Sequence, residues 1–278
     1  YNNMYTLIKI DEINNLGAIR IRIRSLLASM NKRIAQKEEE IKENMHDPSK
    51  ALGDYEVNRI PFTQEMKEQG YTILLPQMIP IHFELFEAAV NSQGYNIKLL
   101  RECTDKTIET GLRYVNNDAC YPSIITTGQF IEALQSGKYD VNKTALIMSQ
   151  TGGGCRATNY IAFIRKALKD AGFANVPVIS FNVQGLEKAT GFKITPSMAT
   201  SLIKSIFYGD LLQKLLLRNR PYEIHKGETQ KLYEKWLEKC KKMAAKSNLI
   251  EYKQTIKDMI KDFEKIEIYT TIEKPKVG

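Results

Sequence analysis

The residues of this sequence best suited to chemistry are two cysteines in distinctive surroundings. The first stands in Tyr114-Val115-Asn116-Asn117-Asp118-Ala119-Cys120-Tyr121-Pro122, the second in Gln150-Thr151-Gly152-Gly153-Gly154-Cys155-Arg156-Ala157-Thr158-Asn159-Tyr160. Residues 144–149 form a short apolar run of the kind that makes a buried strand, and Ile161, Ile164, Ala167 and Leu168 recur at helical spacing after Arg156. The three glycines between them allow a tight turn and a close approach of backbone to a ligand. The following helix directs unpaired N–H groups and the positive end of its dipole at that place. A thiolate or another anion is favoured there, the more so if Arg156 turns inward. Cys120 repeats the arrangement. Pro122 suits the first turn of a helix, and Ile124, Ile125, Phe130, Ile131 and Leu134 supply an apolar stripe that ends at Ser136-Gly137. Both positions read as candidate metal-cluster ligands.

Each of these residues also has a purely structural reading. A glycine-rich loop serves phosphate binding or close packing equally well, and a cysteine is often a small buried hydrophobe. Asn116, Asn117 and Asp118 can orient a substrate or form a turn. Arg156, Thr158 and Asn159 can donate hydrogen bonds to cluster sulfurs or cap the helix. Cys103 reads as a strand-end residue and Cys240 as a surface or packing cysteine. Zinc is poorly served, because no close Cys-x-x-Cys pair exists and His46, His82 and His225 have no ligand-like spacing. His82, beside Phe83 at a helix start, reads as a capping or packing residue. No ferredoxin-type cysteine run occurs. No Walker-type Gly-x-x-x-x-Gly-Lys-Ser/Thr pattern occurs either, so ATP hydrolysis is not expected in this chain.

Around the two signatures, strand and helix patterns alternate. Thr72 to Leu75 reads as a strand, Ile81 to Asn91 as a helix, Tyr95 to Leu100 as a strand and Thr104 to Tyr114 as a short helix. The Cys120 helix, the strand at 144–149, the Cys155 helix and a strand at 177–181 follow. Such alternation implies an α/β fold with a Rossmann-like parallel sheet, covered on both faces and binding ligands at the carboxyl ends of its strands. Cys155 follows one such end directly. Cys120 must be carried there by the fold, because Val115 to Ala119 is a polar loop. The two thiols are then expected in one polar cleft lined by Gly152, Gly153, Gly154 and Asn117, with Cys103 and Cys240 elsewhere. Ligands of one cluster would have sulfurs within roughly 6–7 Å of each other.

Helical segments are expected on either side. Residues 12–47 read as one long helix that ends at Asp47-Pro48. A helix opening at Thr195-Pro196 carries Met198, Leu202, Ile203, Ile206, Phe207, Leu211, Leu212 and Leu215 as an apolar face expected to dock on the sheet domain. Glu228 to Lys246 and Tyr252 to Lys265 follow as amphipathic helices, and 266–269 reads as a final short strand.

With 278 residues, 43% of them hydrophobic, the chain can bury the core of one or two domains. No stretch approaches the roughly 20 apolar residues of a membrane span. The four cysteines are too widely spaced for a disulfide framework, which favours a reducing cytoplasm. The net charge of +8 raises nucleic acid as a partner, but the lysines alternate with glutamates at 31–44 and 228–265, the pattern of solvated helix faces. No zinc-finger spacing or RNA-binding aromatic motif accompanies them, so neither nucleic acid nor membrane is expected as a partner. Modest positive charge is compatible with a phosphate-bearing ligand.

The two signatures, together with Phe62-Thr63, Tyr71-Thr72-Ile73-Leu74, Pro80-Ile81-His82-Phe83 and Val176-Pro177-Val178-Ile179-Ser180-Phe181-Asn182, resemble the 2-hydroxyacyl-CoA dehydratase family. The likeness is greatest to the dehydratase-like region of the large CoA-substrate-specific enzyme activases, and it is strong over about residues 60–185. In that family three cysteines per subunit hold an iron–sulfur cluster between Rossmann-like domains. The resemblance places Cys120 and Cys155 as the first two ligands, with Gly152, Gly153, Gly154, Arg156 and Asn117 as cofactor-binding neighbours. It implies a 4Fe-4S or double-cubane cluster, left incomplete here because the family's third cysteine comes from a later domain. Lys274-Pro275-Lys276-Val277-Gly278 resembles the opening of that domain, so the chain is expected to be a fragment. The implied layout is an N-terminal helical segment at 1–64, the cysteine-bearing domain at 65–185, a helical segment at 186–272 and the start of a truncated domain at 273–278. The implied function is ATP-driven low-potential electron transfer for dehydration or reduction of CoA thioesters. An activator-type ATPase domain, a CoA thioester and a second copy of the chain are the partners it allows. The residues themselves leave two other readings open. One is a binding module whose glycine loop cradles the phosphates of CoA or a nucleotide, and the other is a structural domain that docks to a partner enzyme.

Overall fold

The computed structural model describes residues 20–32, 59–116, 119–150, 156–181, 190–244, 249–270 and 274. Within the long helix expected at 12–47, residues 20–32 are helical (α1) and the rest lies outside the described residues. A short helix that the sequence pattern did not indicate, α2 (Gln64–Glu68), comes first; strand and helix then alternate as the hydrophobic periods predict: β1 (Thr72–Pro76), α3 (Pro80–Asn91), β2 (Asn96–Leu100), α4 (Asp105–Tyr114), α5 (Tyr121–Gln135), β3 (Thr144–Ser149), α6 (Tyr160–Asp170) and β4 (Val178–Phe181). Three helices follow, α7 (Pro196–Asn219), α8 (Glu228–Ala244) and α9 (Leu249–Glu264). The four strands form one sheet in the order β2-β1-β3-β4. β3 pairs in parallel with both β1 and β4, with Leu74 opposite Leu146 and Ile147 opposite Ile179. The Rossmann-like α/β fold expected from the alternation is therefore present. β3 is buried at every residue but its last, as a strand covered on both faces must be.

Two compact units divide the chain, one within residues 1–77 and 100–192, the other within 78–99 and 193–278. In the first, Leu74, Phe130, Leu134, Leu146, Met148, Ile164 and Leu168 belong to one buried cluster that joins the sheet to α5 and α6. α4 and α5 cross at backbone contact. A Cβ on Gly111 would lie 2.0 Å from the Ile124 carbonyl oxygen, and one on Gly128 would lie 2.0 Å from that of Thr107. Only glycine allows so close an approach. The crossing is tied by Thr107, whose hydroxyl donates to Glu132 at 2.6 Å.

In the second unit, α3 packs on α7 and α8, and α9 packs on both of the latter. The core there is Leu85, Tyr208, Leu212, Trp236, Cys240, Met259 and Phe263. β2 is an edge strand, and α3 blunts it. The Asn91 amide exchanges hydrogen bonds with the Ile97 backbone at 2.6 and 3.0 Å, and Glu87 accepts from the Leu99 N–H at 3.0 Å. α7 is apolar on more than one side. Its inner face is buried, while Ile203, Ile206 and Phe207 are exposed rather than docked. The short strand expected at 266–269 is a single antiparallel bridge, Glu223 to Ile268. Its partner stretch is held between turns on either side, so no ladder can extend. The Glu223 carboxylate instead accepts from the Gly227 and Thr229 N–H groups at the start of α8, at 2.7 and 2.8 Å. The Thr229 side chain, together with those backbone bonds, holds its carboxyl below the usual range. Among the described residues no helix is long and apolar enough to cross a membrane.

Candidate functional site

In an open α/β sheet the place for a ligand is where strand order reverses, outside the carboxyl ends of the strands. Here that point lies between β1 and β3. The chain leaves β3 at Gln150, which acts as a clamp. Its N–H donates to the Phe181 carbonyl at 2.9 Å, its side-chain oxygen accepts from Ser180 at 2.7 Å, and its amide nitrogen donates to the Thr158 carbonyl at 3.2 Å. The ends of β3 and β4 are thereby fixed to the turn that opens α6. That turn is a 3-10 helix over Arg156–Asn159, and α6 proper begins at Tyr160, four residues later than the sequence pattern suggests. The amide of Gln150 bonds to the Thr158 carbonyl within this turn. The sequence reading included Gln150 in the signature but gave it no role. A polar residue directly after a buried strand was the available signal.

Cys120 is the N-cap of α5, with Pro122 in the first turn and no side-chain cap bond of its own. Its carbonyl accepts from the Ser123 N–H at 2.9 Å and from the Ser123 hydroxyl at 2.7 Å. The thiol is half-buried against the core of the first unit. Its sulfur lies 2.8 Å from the hydroxyl of Tyr160, which is buried and is the first residue of α6. The segment that follows Cys155 is thus brought onto Cys120 by tertiary structure alone. Either group can donate in this contact, which orients the sulfur at the start of α5; a thiolate is the form of cysteine that binds metals.

Cys103 lies three residues beyond β2, in a stretch held by Gln129 of α5, whose amide nitrogen donates to the carbonyls of Leu100 and Glu102 at 3.0 and 2.9 Å. The thiol is exposed, and partial burial followed by the nearby Glu132 carboxylate pushes it above its ordinary value. Burial and then the Cys103 charge likewise raise the Tyr121 phenol. Cys240 is fully buried in the core of α7–α9, the packing rather than the surface role of the two read from sequence, and burial pushes its thiol up to about 12. A raised thiol stays protonated in the native state while the unfolded one ionises near 9.0, so its stabilising effect is complete below pH 9.0 and lost as pH rises toward about 12. Iodoacetamide at pH 8, read by peptide mapping, is expected to alkylate Cys103 and to spare Cys240 until denaturant is added. Equal labelling of the two in the native protein would contradict the burial of Cys240.

Asn117, Gly152, Gly153, Gly154 and Cys155, with the side chain of Arg156, lie outside the described residues. Among the described residues no group of three or more His, Cys, Asp or Glu side chains is arranged to hold a metal ion. Cys120 suits a thiolate ligand by chemistry and position, but it has no described set around it. His82 is a packing residue and not a cap. It is 7% exposed, its Nε2 lies 2.9 Å from Asp210, and Gly209 makes room for its ring. A cavity of about 390 Å3 in the second unit is lined by Arg220, Tyr222, Glu223, Lys226, Tyr269 and Lys274. Two of its charged groups are already engaged, Glu223 as the cap described above and Lys274 through a bond from its Nζ to the Pro221 carbonyl.

Fold and site together define an α/β protein with a Rossmann-like parallel sheet and a thiol at the opening of a helix packed on it. No family model, curated protein or solved structure matches the chain.

Proposed function

We propose that this chain is the iron–sulfur module of a 2-hydroxyacyl-CoA dehydratase- or activase-type protein, taking part in ATP-driven low-potential electron transfer to CoA thioesters. The observation that carries the reading is the contact between Cys120 and Tyr160, which joins the two cysteine signatures that are 35 residues apart in sequence. In this reading Cys120 and Cys155 are thiolate ligands, and residues beyond those described complete the set. The cluster, when bound, would supply one-electron chemistry at low potential. The chain's own contribution is to orient and to exclude water. Tyr160 hydrogen-bonds with the Cys120 sulfur, Gln150 fixes the opening of α6, and the core beneath Cys120 closes one side of the site. Asn117, Gly152, Gly153, Gly154 and Arg156 are assigned to cofactor or substrate contacts. ATP hydrolysis belongs to an activator-type partner domain.

The test is iron and acid-labile sulfide in the full-length natural protein purified without oxygen. Cys120→Ala and Cys155→Ala are each expected to remove at least half of the bound iron, with Cys103→Ala and Cys240→Ala leaving it in place. Iron-free protein, or iron indifferent to Cys120, would overturn the proposal. One observation favours a second reading: reversal of strand order at β1/β3, the place where doubly wound sheets bind phosphorylated ligands. A cluster-free protein that bound CoA through the 152–154 loop would support that alternative.

A further inference from the structure

α7 carries two faces of different kinds. The inner one, with Met198, Tyr208, Leu212, Leu215 and Leu216, is buried in the second unit. On the outer one, Ile203, Phe207 and Leu217 are 54%, 57% and 52% exposed, the Asp210 side chain is 66% exposed, and Lys214 is exposed. Scattered apolar residues on a surface require no explanation. These five are not scattered. They follow one another at intervals of four, three, four and three residues, which is the spacing of a heptad seam along one side of a helix.

The charges in that seam say what covers it. In an antiparallel pairing of two copies of α7 about a two-fold axis at the level of residue 212 on the outer side of the helix, Phe207 of one copy faces Leu217 of the other at both ends of the contact. Between them Asp210 of each copy faces Lys214 of the other. A parallel pairing in register would instead place Asp210 against Asp210 and Lys214 against Lys214, and like charges opposed across a helix seam are unfavourable. The seam therefore matches itself in one orientation only, as a two-fold interface requires. The Asp210 carboxylate is also held in place on the helix surface, by the buried ring of His82 at 2.9 Å.

We propose that this face of α7 is the interface of a homodimer, two copies of the chain packing α7 against α7 in antiparallel fashion with Phe207–Leu217 and Asp210–Lys214 layers. From Phe207 to Leu217 the paired seam is roughly 15 Å long at 1.5 Å per residue, with Ile203 just beyond it. A contact of that length is at the small end of specific interfaces, so association is concentration-dependent.

The experiment is sedimentation velocity of the whole chain from low to high micromolar concentration, with charge-swapped variants. The wild-type chain is expected to pass from monomer to dimer. Asp210→Lys alone opposes lysine to lysine and Lys214→Asp alone opposes aspartate to aspartate, so each is expected to weaken the dimer by about tenfold or more. Mixed together, the two variants restore both opposite-charge layers and are expected to form a heterodimer. Asp210→Lys also removes the partner of His82, so a second swap at purely exposed positions, Phe207→Asp mixed with Leu217→Lys, keeps the test decisive if the first variant does not fold. A wild-type chain that stays monomeric would overturn the proposal and leave the face to another segment or another protein. A dimer indifferent to the single substitutions, or a failure of both mixtures to pair, would overturn it as well.

Discussion

Gly128→Ala is expected to lower the unfolding free energy by about 3 kcal/mol, at the upper end of what one added methyl does in a packed interior. The methyl would sit 2.0 Å from the Thr107 carbonyl oxygen, a backbone atom of α4 that can yield only if the whole helix moves. Alanine's better helix propensity, worth roughly 1 kcal/mol, acts in the opposite direction and is outweighed. Urea denaturation followed by far-UV circular dichroism measures the loss. A contrast lies just past the C-terminus of the same helix. Gly137 has φ +72° with nothing within 4 Å of an added Cβ, so Gly137→Ala meets backbone strain without a clash and should cost only about 1–2 kcal/mol. If Gly128→Ala proved no more damaging than Gly137→Ala, the close crossing of α4 and α5 would be wrong. The crossing matters for the site because the loop between these helices carries Asn116 and Cys120, and forcing the helices apart would draw the Cys120 sulfur away from Tyr160.

Trp236→Ala is expected to have an effect of similar or greater size, about 3–5 kcal/mol for the removal of a fully enclosed aromatic side chain. Trp236 is 2% exposed at the centre of the cluster formed by α7, α8 and α9, and the Lys239 ammonium lies 4.1 Å over its ring. It is the one tryptophan of the chain, so the variant must be followed by circular dichroism rather than by intrinsic fluorescence. Trp236→Phe keeps most of the apolar volume and should lose markedly less. A loss below about 1 kcal/mol for the alanine variant would mean that these helices do not share one core.

The positions of the strands and of most helices were legible in the sequence because each carries its own local signal. β3 is a run of apolar residues with no polar interruption, α5 opens at Cys120 with a proline in its first turn, and α7 opens at Thr195-Pro196 with a side chain that caps Met198. A buried parallel sheet followed from their alternation. The cysteine signatures were legible as unusual local patterns, and so was the enclosure of Cys240 as one of two readings. What no local pattern could carry is the set of contacts between segments distant in sequence. The Cys120–Tyr160 bond spans 40 residues, and Gln150 reaches both Ser180 and Thr158. Gly111 and Gly128 look like weak points in their helices until the facing carbonyls are seen. For α7 the sequence showed that apolar residues were plentiful but not which of them faced inward, because a helix apolar on several sides has no single period to read. Periodicity is a property of one element and its own solvent boundary. Strand order, close helix crossings and the outward face of α7 are settled by which surfaces meet, and that depends on the whole chain at once.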